Sequence, residues 1–233
     1  MLPSGRSVPQ AVTDRMLALS PAYGKFLYRL PKGARLLDVG CSDCRSVKVI
    51  LGKRPDLSVY GVDIAEAPAT ADVLHGFCRA DLNRDRISFE GGTFDGVRVA
   101  HLLEHLDTLD VLREEIPRLL KPGGLVYLET PNRNSLKVPS FGLFREQGGI
   151  FNFRDDPTHR HPLDESDLRA FLAGAGLRVR DAGVVRNPWK VLFSPILVLG
   201  GLLMRNRSWL TAAAWELSGW CSYAVGEKEG GEA

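Results

Sequence analysis

Four cysteines in 233 residues are too few for a disulfide framework, which points to a reducing, cytoplasmic setting. Charge of one sign is also lacking. Thirty basic side chains meet 28 acidic ones, a net charge of +2, and they are scattered rather than run together. No overall field therefore asks for nucleic acid, and none is expected as a partner. The roughly 20 apolar residues needed to cross a bilayer are missing too. The longest uncharged stretch, 191–204, has 14 residues and is interrupted by Pro195, Gly200 and Gly201. Residues 1–10 carry Pro3, Ser4, Gly5 and Pro9 but no apolar core, so they do not read as a signal peptide. Repeats and low-complexity segments are absent. What remains is ordinary globular composition, 44% hydrophobic and 25% charged, with enough chain to bury a sizeable core.

Between residues 34 and 185, short apolar runs alternate with amphipathic stretches. The runs predict strands at 35–39, 57–62, 74–78, 94–100, 125–129 and 177–185. Helical spacing predicts helices over 46–53, 109–120 and 164–175, with Lys121-Pro122-Gly123-Gly124 as a stop and turn. Residues 222–226 add a last strand. Strands alternating with helices imply parallel pairing through right-handed crossovers, an α/β sheet with helices on both faces. Residues 12–30 read as one or two helices broken by Pro21 and Gly24, and 187–219 as mostly helical. One domain is expected: an N-terminal helical segment (1–33), a core (34–186), an apolar helical cap (187–219), and a last strand with a polar tail (220–233). The segment 131–163 has little periodicity, and loops of that length are usually functional or mobile.

In such sheets ligands bind beyond the carboxyl ends of the strands. After the first strand comes Asp38-Val39-Gly40-Cys41-Ser42-Asp43-Cys44, a turn of small residues that lets a ligand approach the backbone and the next helix's free N–H groups. After the second comes Asp63, 25 positions past Asp38, where a carboxylate can accept from both hydroxyls of a ribose. After the third comes Asp81, able to accept from an exocyclic amine. The turn lacks the GxGxxG pattern, so a nicotinamide-dependent oxidoreductase fits less well. Cys41 and Cys44 form a lone CxxC with no second ligand pair. His159 and His161 beside Asp155 and Asp156 have no third ligand fixed by spacing. No metal site is expected.

The order of these elements resembles the class I S-adenosylmethionine-dependent methyltransferases, particularly their small-molecule branch. The residues that carry it are LLDVGCSDC at 36–44, VYGVDI at 59–64, RADL at 79–82, FDGVRVAHLLEHL at 94–106 and LLKPGGLVYLETPN at 119–132. The resemblance implies a Rossmann-like, mostly parallel seven-stranded sheet, with helices inserted before the last strand, and S-adenosylmethionine as cofactor. It places Asp38, Gly40, Cys41 and Ser42 around the methionine end and Asp63 on the ribose. Ile64 and Leu82 would flank the adenine, Asp81 would take its amine, and Ala100 and His101 would line the cofactor. The chain departs from the family where glycines usually stand, at Ser42 and Cys44. A cysteine where the helix packs closely keeps a rival open, a non-catalytic domain that retains the fold for binding or assembly.

Methyl transfer needs alignment, plus a base if the nucleophile is protonated. Histidine suits that role near neutral pH. The candidates are His105, just beyond the fourth strand, and His159 and His161 in DDPTHRHPL at 155–163. The resemblance implies methylation of a small molecule, on oxygen before nitrogen or carbon, and an apolar, lipid-linked, quinone-like or sugar-derived acceptor would suit the apolar cap.

Three readings of 191–204 stay open. A lid over the substrate or a buried core helix comes first, because the length is short for a span. Peripheral membrane contact through 189–209 comes second, since Trp189 and Lys190 at one end and Arg205, Arg207 and Trp209 at the other match interfacial flanks. A homodimer surface is the third.

Overall fold

The computed structural model describes residues 20–140, 150–204 and 207–230. Helix α1 (Pro21–Arg29) precedes β1 (Arg35–Val39), α2 (Arg45–Lys53), β2 (Ser58–Asp63), β3 (Gly76–Arg79) and β4 (Phe94–Ala100). Then come α3 (Asp110–Leu119), β5 (Leu120–Pro131), α4 (Glu165–Gly174), β6 (Arg178–Val184), α5 (Pro188–Leu203), α6 (Arg207–Ser218) and β7 (Cys221–Glu227). The seven strands form one sheet in the order β3-β2-β1-β4-β5-β7-β6. The first five are parallel, and β7 runs antiparallel between β5 and β6. The parallel α/β sheet expected from the alternating pattern, and the Rossmann-like seven-stranded form implied by the resemblance, are therefore present, with the strand that follows the helical cap inserted between β5 and β6.

Alternation along the strands builds a separate core on each face. Leu37, Val39, Val97 and Val99 face the side covered by Leu112 and Ile116 of α3 and Leu168 and Leu172 of α4. Leu36, Val59 and Tyr127 face Phe26 and Leu27 of α1 and Val47 and Ile50 of α2. Asp38 stands two residues past Leu36, which puts a carboxylate inside that second layer.

Most element boundaries shift by a residue or two from the sequence expectation, and the largest differences lie at α1, β3 and β5. Pro21 opens α1 rather than breaking it, after the Ser20 side chain accepts from Tyr23 N–H, and Gly24 lies inside the helix. Proline at the first helical position loses no intrahelical hydrogen bond. Residues 12–19 of that stretch lie outside the described residues. The third strand starts two residues later than expected, at Gly76, because 71–73 form a short 3-10 turn. Strand β5 starts five residues early, with Leu120 paired to Phe94, and Lys121 to Gly124 form a bulge in which Gly123 has φ +77°. Strand β7 is one residue longer at each end than 222–226.

Candidate active site

Parallel strands end on one edge, and there β1, β2 and β4 deliver Gly40, Asp63 and His101. Gly40 sits at φ +80°, where its N–H donates to Val62 O at 2.7 Å. A Cβ at this position would lie 3.3 Å from Leu102 in a conformation that side chains avoid, so the turn keeps its bare backbone. Asp63 is half-buried and receives two backbone donors, Ser42 N–H at 2.8 Å and Ala65 N–H at 3.0 Å, one on each oxygen. Each carboxylate oxygen keeps a further lone pair for a ligand hydroxyl. Next to it Ile64 is 60% exposed, a large apolar surface at the mouth of the sheet.

The expected adenine side is only partly assembled. Asp81 accepts from both N–H groups offered by Asn83 and pairs with Arg84 at 3.2 Å. Leu82, expected to flank the adenine together with Ile64, is buried in the core with Cys78 and Ile87. An apolar side chain that can reach that core gains more there than at the rim.

The two departures from glycine are resolved differently. Cys44 has φ +59° and is fully buried, packed with Cys41, Val47 and Ile50 in the α1–α2 layer. Its side chain thus points away from the cleft. Burial pushes both thiols up in pKa, with Asp38 adding to the effect, so the pair behaves as small core residues. Ser42 stays exposed at φ +46°. Left-handed backbone is strained for a residue with a Cβ, and Ser42→Gly is expected to raise stability by about 0.5–1 kcal/mol in chemical denaturation.

Behind the turn lies a polar layer that the motifs do not announce. Asp38, wholly buried, accepts from Arg98 Nη1 at 2.5 Å and from Ser46 Oγ at 3.1 Å. The pairing is fixed by register, because Asp38 and Arg98 are direct partners across β1 and β4. The guanidinium lies 5.2 Å over the Tyr23 ring, and its buried Nε has no hydrogen-bond partner among the described residues. Burial works against the Arg98 cation, but Asp38 keeps it firmly protonated.

His101 begins the next layer. It follows β4 at φ +55°, a region histidine enters more readily than most residues. Its Nδ1 is 3.4 Å from Glu104 and its Nε2 is 3.5 Å from Glu129. Burial opposes a charged imidazole, yet the two carboxylates outweigh it and raise the pKa to about 10. The same partnership holds both glutamates below the usual carboxylate range, against their burial. Thr130 donates to Glu104 at 2.9 Å, and Tyr127 donates to Glu129. Over the imidazole stand Trp215 of α6 and Trp220, stacked at 4.4 Å with ring planes 8° apart. Their indole N–H groups donate to Ile150 O and Phe151 O, which ties the cap to the long loop.

The three expected catalytic histidines are not equivalent. His105 Nδ1 is 2.8 Å from Thr158 Oγ1, and its half-buried ring lies 4.8 Å from that of His159. His159 is nearly enclosed, with Nδ1 2.7 Å from Phe153 O and the Phe153 ring at 4.6 Å. His161 is solvent-exposed. Sequence reasoning missed Arg98, Glu129, Trp215 and Trp220.

These residues suit a nucleoside joined to an amino-acid end. A carboxylate with free lone pairs (Asp63), an exposed apolar face (Ile64) and a bare turn (Gly40) lie along one edge, and both signs of charge gather where β1 and β4 finish. Residues 9–182 match the family model for a methyltransferase domain. A ubiquinone biosynthesis O-methyltransferase of Pseudomonas aeruginosa is 32% identical over 169 residues, 67% of this chain and 70% of that protein. The structure of a SAM dependent methyltransferase from Archaeoglobus fulgidus superposes with a TM-score of 0.57 at 19% identity, covering 96% of each chain. The geranyl diphosphate C-methyltransferase from Streptomyces coelicolor, solved with S-adenosyl-L-homocysteine, gives 0.56 at 15% identity, covering 94% of this chain and 76% of that one. At such identities the two solved structures speak for the fold, and the sequence matches for the family. The chain belongs to the methyltransferase domain family and is a class I S-adenosylmethionine-dependent methyltransferase.

Proposed function

We propose that the chain methylates an oxygen of a small, apolar acceptor seated against Trp215, which stacks on the buried Trp220. The observation that carries the acceptor side is the partly exposed Trp215 indole, stacked on Trp220 above His101 at the carboxyl edge. The P. aeruginosa relative, by its name, works on oxygen in ubiquinone biosynthesis, which supports a hydroxyl on a ring-bearing acceptor. When bound, S-adenosylmethionine supplies an electrophilic methyl group on a sulfonium. Asp63 would hold the ribose hydroxyls, Ile64 one face of the adenine, and Gly40 and Ser42 the methionine end, with Asp38 and Arg98 fixing the charge beneath.

His101 is unsuited to be the base, because its two carboxylates keep it protonated at neutral pH. His159 is enclosed and His161 is out in solvent, so His105, anchored by Thr158 and half open, is assigned to take the acceptor proton. His105→Ala is expected to lower kcat about 100-fold at saturating cofactor, in the range of a lost general base; an unchanged kcat removes His105 from the proton transfer.

Calorimetric titration with S-adenosylmethionine tests the cofactor half. Asp63→Ala should weaken binding by about 1–3 kcal/mol, the range for losing a charged acceptor. Unchanged affinity would overturn the ribose assignment.

A further inference from the structure

The helix built from the uncharged stretch turns its large side chains outward. In α5, Trp189, Leu192, Ile196, Leu199 and Leu203 are each between 59% and 76% exposed. The buried positions are Ser194 and Gly201. Gly200, one turn from Ile196, lies so close to α6 that an added Cβ would come within 2.6 Å of the Trp209 ring. A helix that packs by small residues and shows leucine and isoleucine to the outside reverses the usual pattern of a surface helix. The core-helix expectation for 191–204 is thereby corrected: small inner residues let α5 and α6 approach closely and leave the bulky ones no room beneath.

We propose that this face of α5 lies flat on an anionic lipid membrane. The proposal stands on the helix alone and does not depend on the acceptor. No helix among the described residues is long and apolar enough to cross a membrane. The 16 residues of α5 extend about 24 Å, which suits a helix parallel to the surface. Phe193, Leu202 and Met204 widen the apolar stripe to about half the circumference, broader than the narrow seam of a helix pair. Charge selects the lipid. Arg186 precedes α5, Lys190 lies in its first turn, and Arg205 and Arg207 follow it in sequence, while Glu216 is the one acid between 186 and 218 and is bonded to Lys190. The net positive charge of this flanking sequence suits anionic headgroups. Trp189, at the start of the helix, has the amphipathic ring favoured at headgroup depth.

Flotation of the full chain with phosphatidylcholine vesicles, made with and without phosphatidylglycerol, reads the proposal. The chain is expected to rise with the anionic vesicles, with a blue shift in tryptophan emission, and to be released by high salt. Ile196→Glu with Leu199→Glu should lower the bound fraction at least about tenfold. Both positions are more than half exposed, so circular dichroism and Tm should match the parent chain. A chain that ignores both vesicle types overturns the proposal, and equal flotation with pure phosphatidylcholine overturns the anionic surface. If light scattering finds a dimer that the two glutamates dissociate, the face belongs to a second copy and the membrane assignment falls.

Discussion

Arg98→Ala should cost about 3–5 kcal/mol of folding stability, the largest loss expected from any single change at the site. The reason is what it leaves behind. Asp38 is wholly buried and would keep only the Ser46 hydroxyl as a donor, without a cation within reach. An ionised carboxylate stranded in the α1–α2 layer pays its desolvation with little return. Urea denaturation should show the midpoint falling sharply. The double change Arg98→Met, Asp38→Leu separates this cause from lost packing. Replacing a buried ion pair by apolar residues of similar size is often neutral, so the double variant should recover most of the loss. If it proves as unstable as Arg98→Ala, the cost comes from the lost guanidinium contact with the Tyr23 ring and not from the stranded carboxylate.

Arg98 also shows where sequence reasoning reached its limit. Strand β4 matches its apolar run to the residue, 94–100, because a strand buried on both faces reads as nearly continuous hydrophobicity. That rule contains the missed signal: an arginine inside such a run needs an acid on a neighbouring strand. Its partner lies 60 positions away, and only the parallel register of β1 with β4 brings the two together. Asp63 was legible for the opposite reason. A chain leaving a parallel strand must emerge at the carboxyl edge, so its place follows from topology alone. Glu129, Trp215 and Trp220 were invisible because β7 returns antiparallel beside β5 and pairs Cys221 with Pro131, and this carries the cap back over the mouth. Length and hydrophobicity suggested burial for 191–204, but which side of a helix is buried depends on whether the inner residues are small enough to let the neighbour in.

His101→Ala is the second large effect, expected at about 3 kcal/mol. The lower end of the range applies because the imidazole is itself more than a third exposed, and water can screen the two glutamates once it is gone. Its signature is the pH profile rather than the size of the loss. A histidine whose folded pKa is about 10, against roughly 6.5 in the unfolded chain, adds stability that is fully present below pH 6.5 and fades as the pH rises to 10. Glu104 and Glu129, held below the usual carboxylate range, contribute the opposite limb: their share is present above about pH 4.3 and is lost on further acidification. Stability should therefore be greatest in a mildly acidic window, with an alkaline decline that begins near neutrality. His101→Gln keeps a neutral donor in place, so this decline should flatten in the variant while the acid limb persists in weakened form. An alkaline limb that survives His101→Gln unchanged would mean that some other group titrates there, and that the two glutamates are held by Thr130 and Tyr127 without the imidazolium.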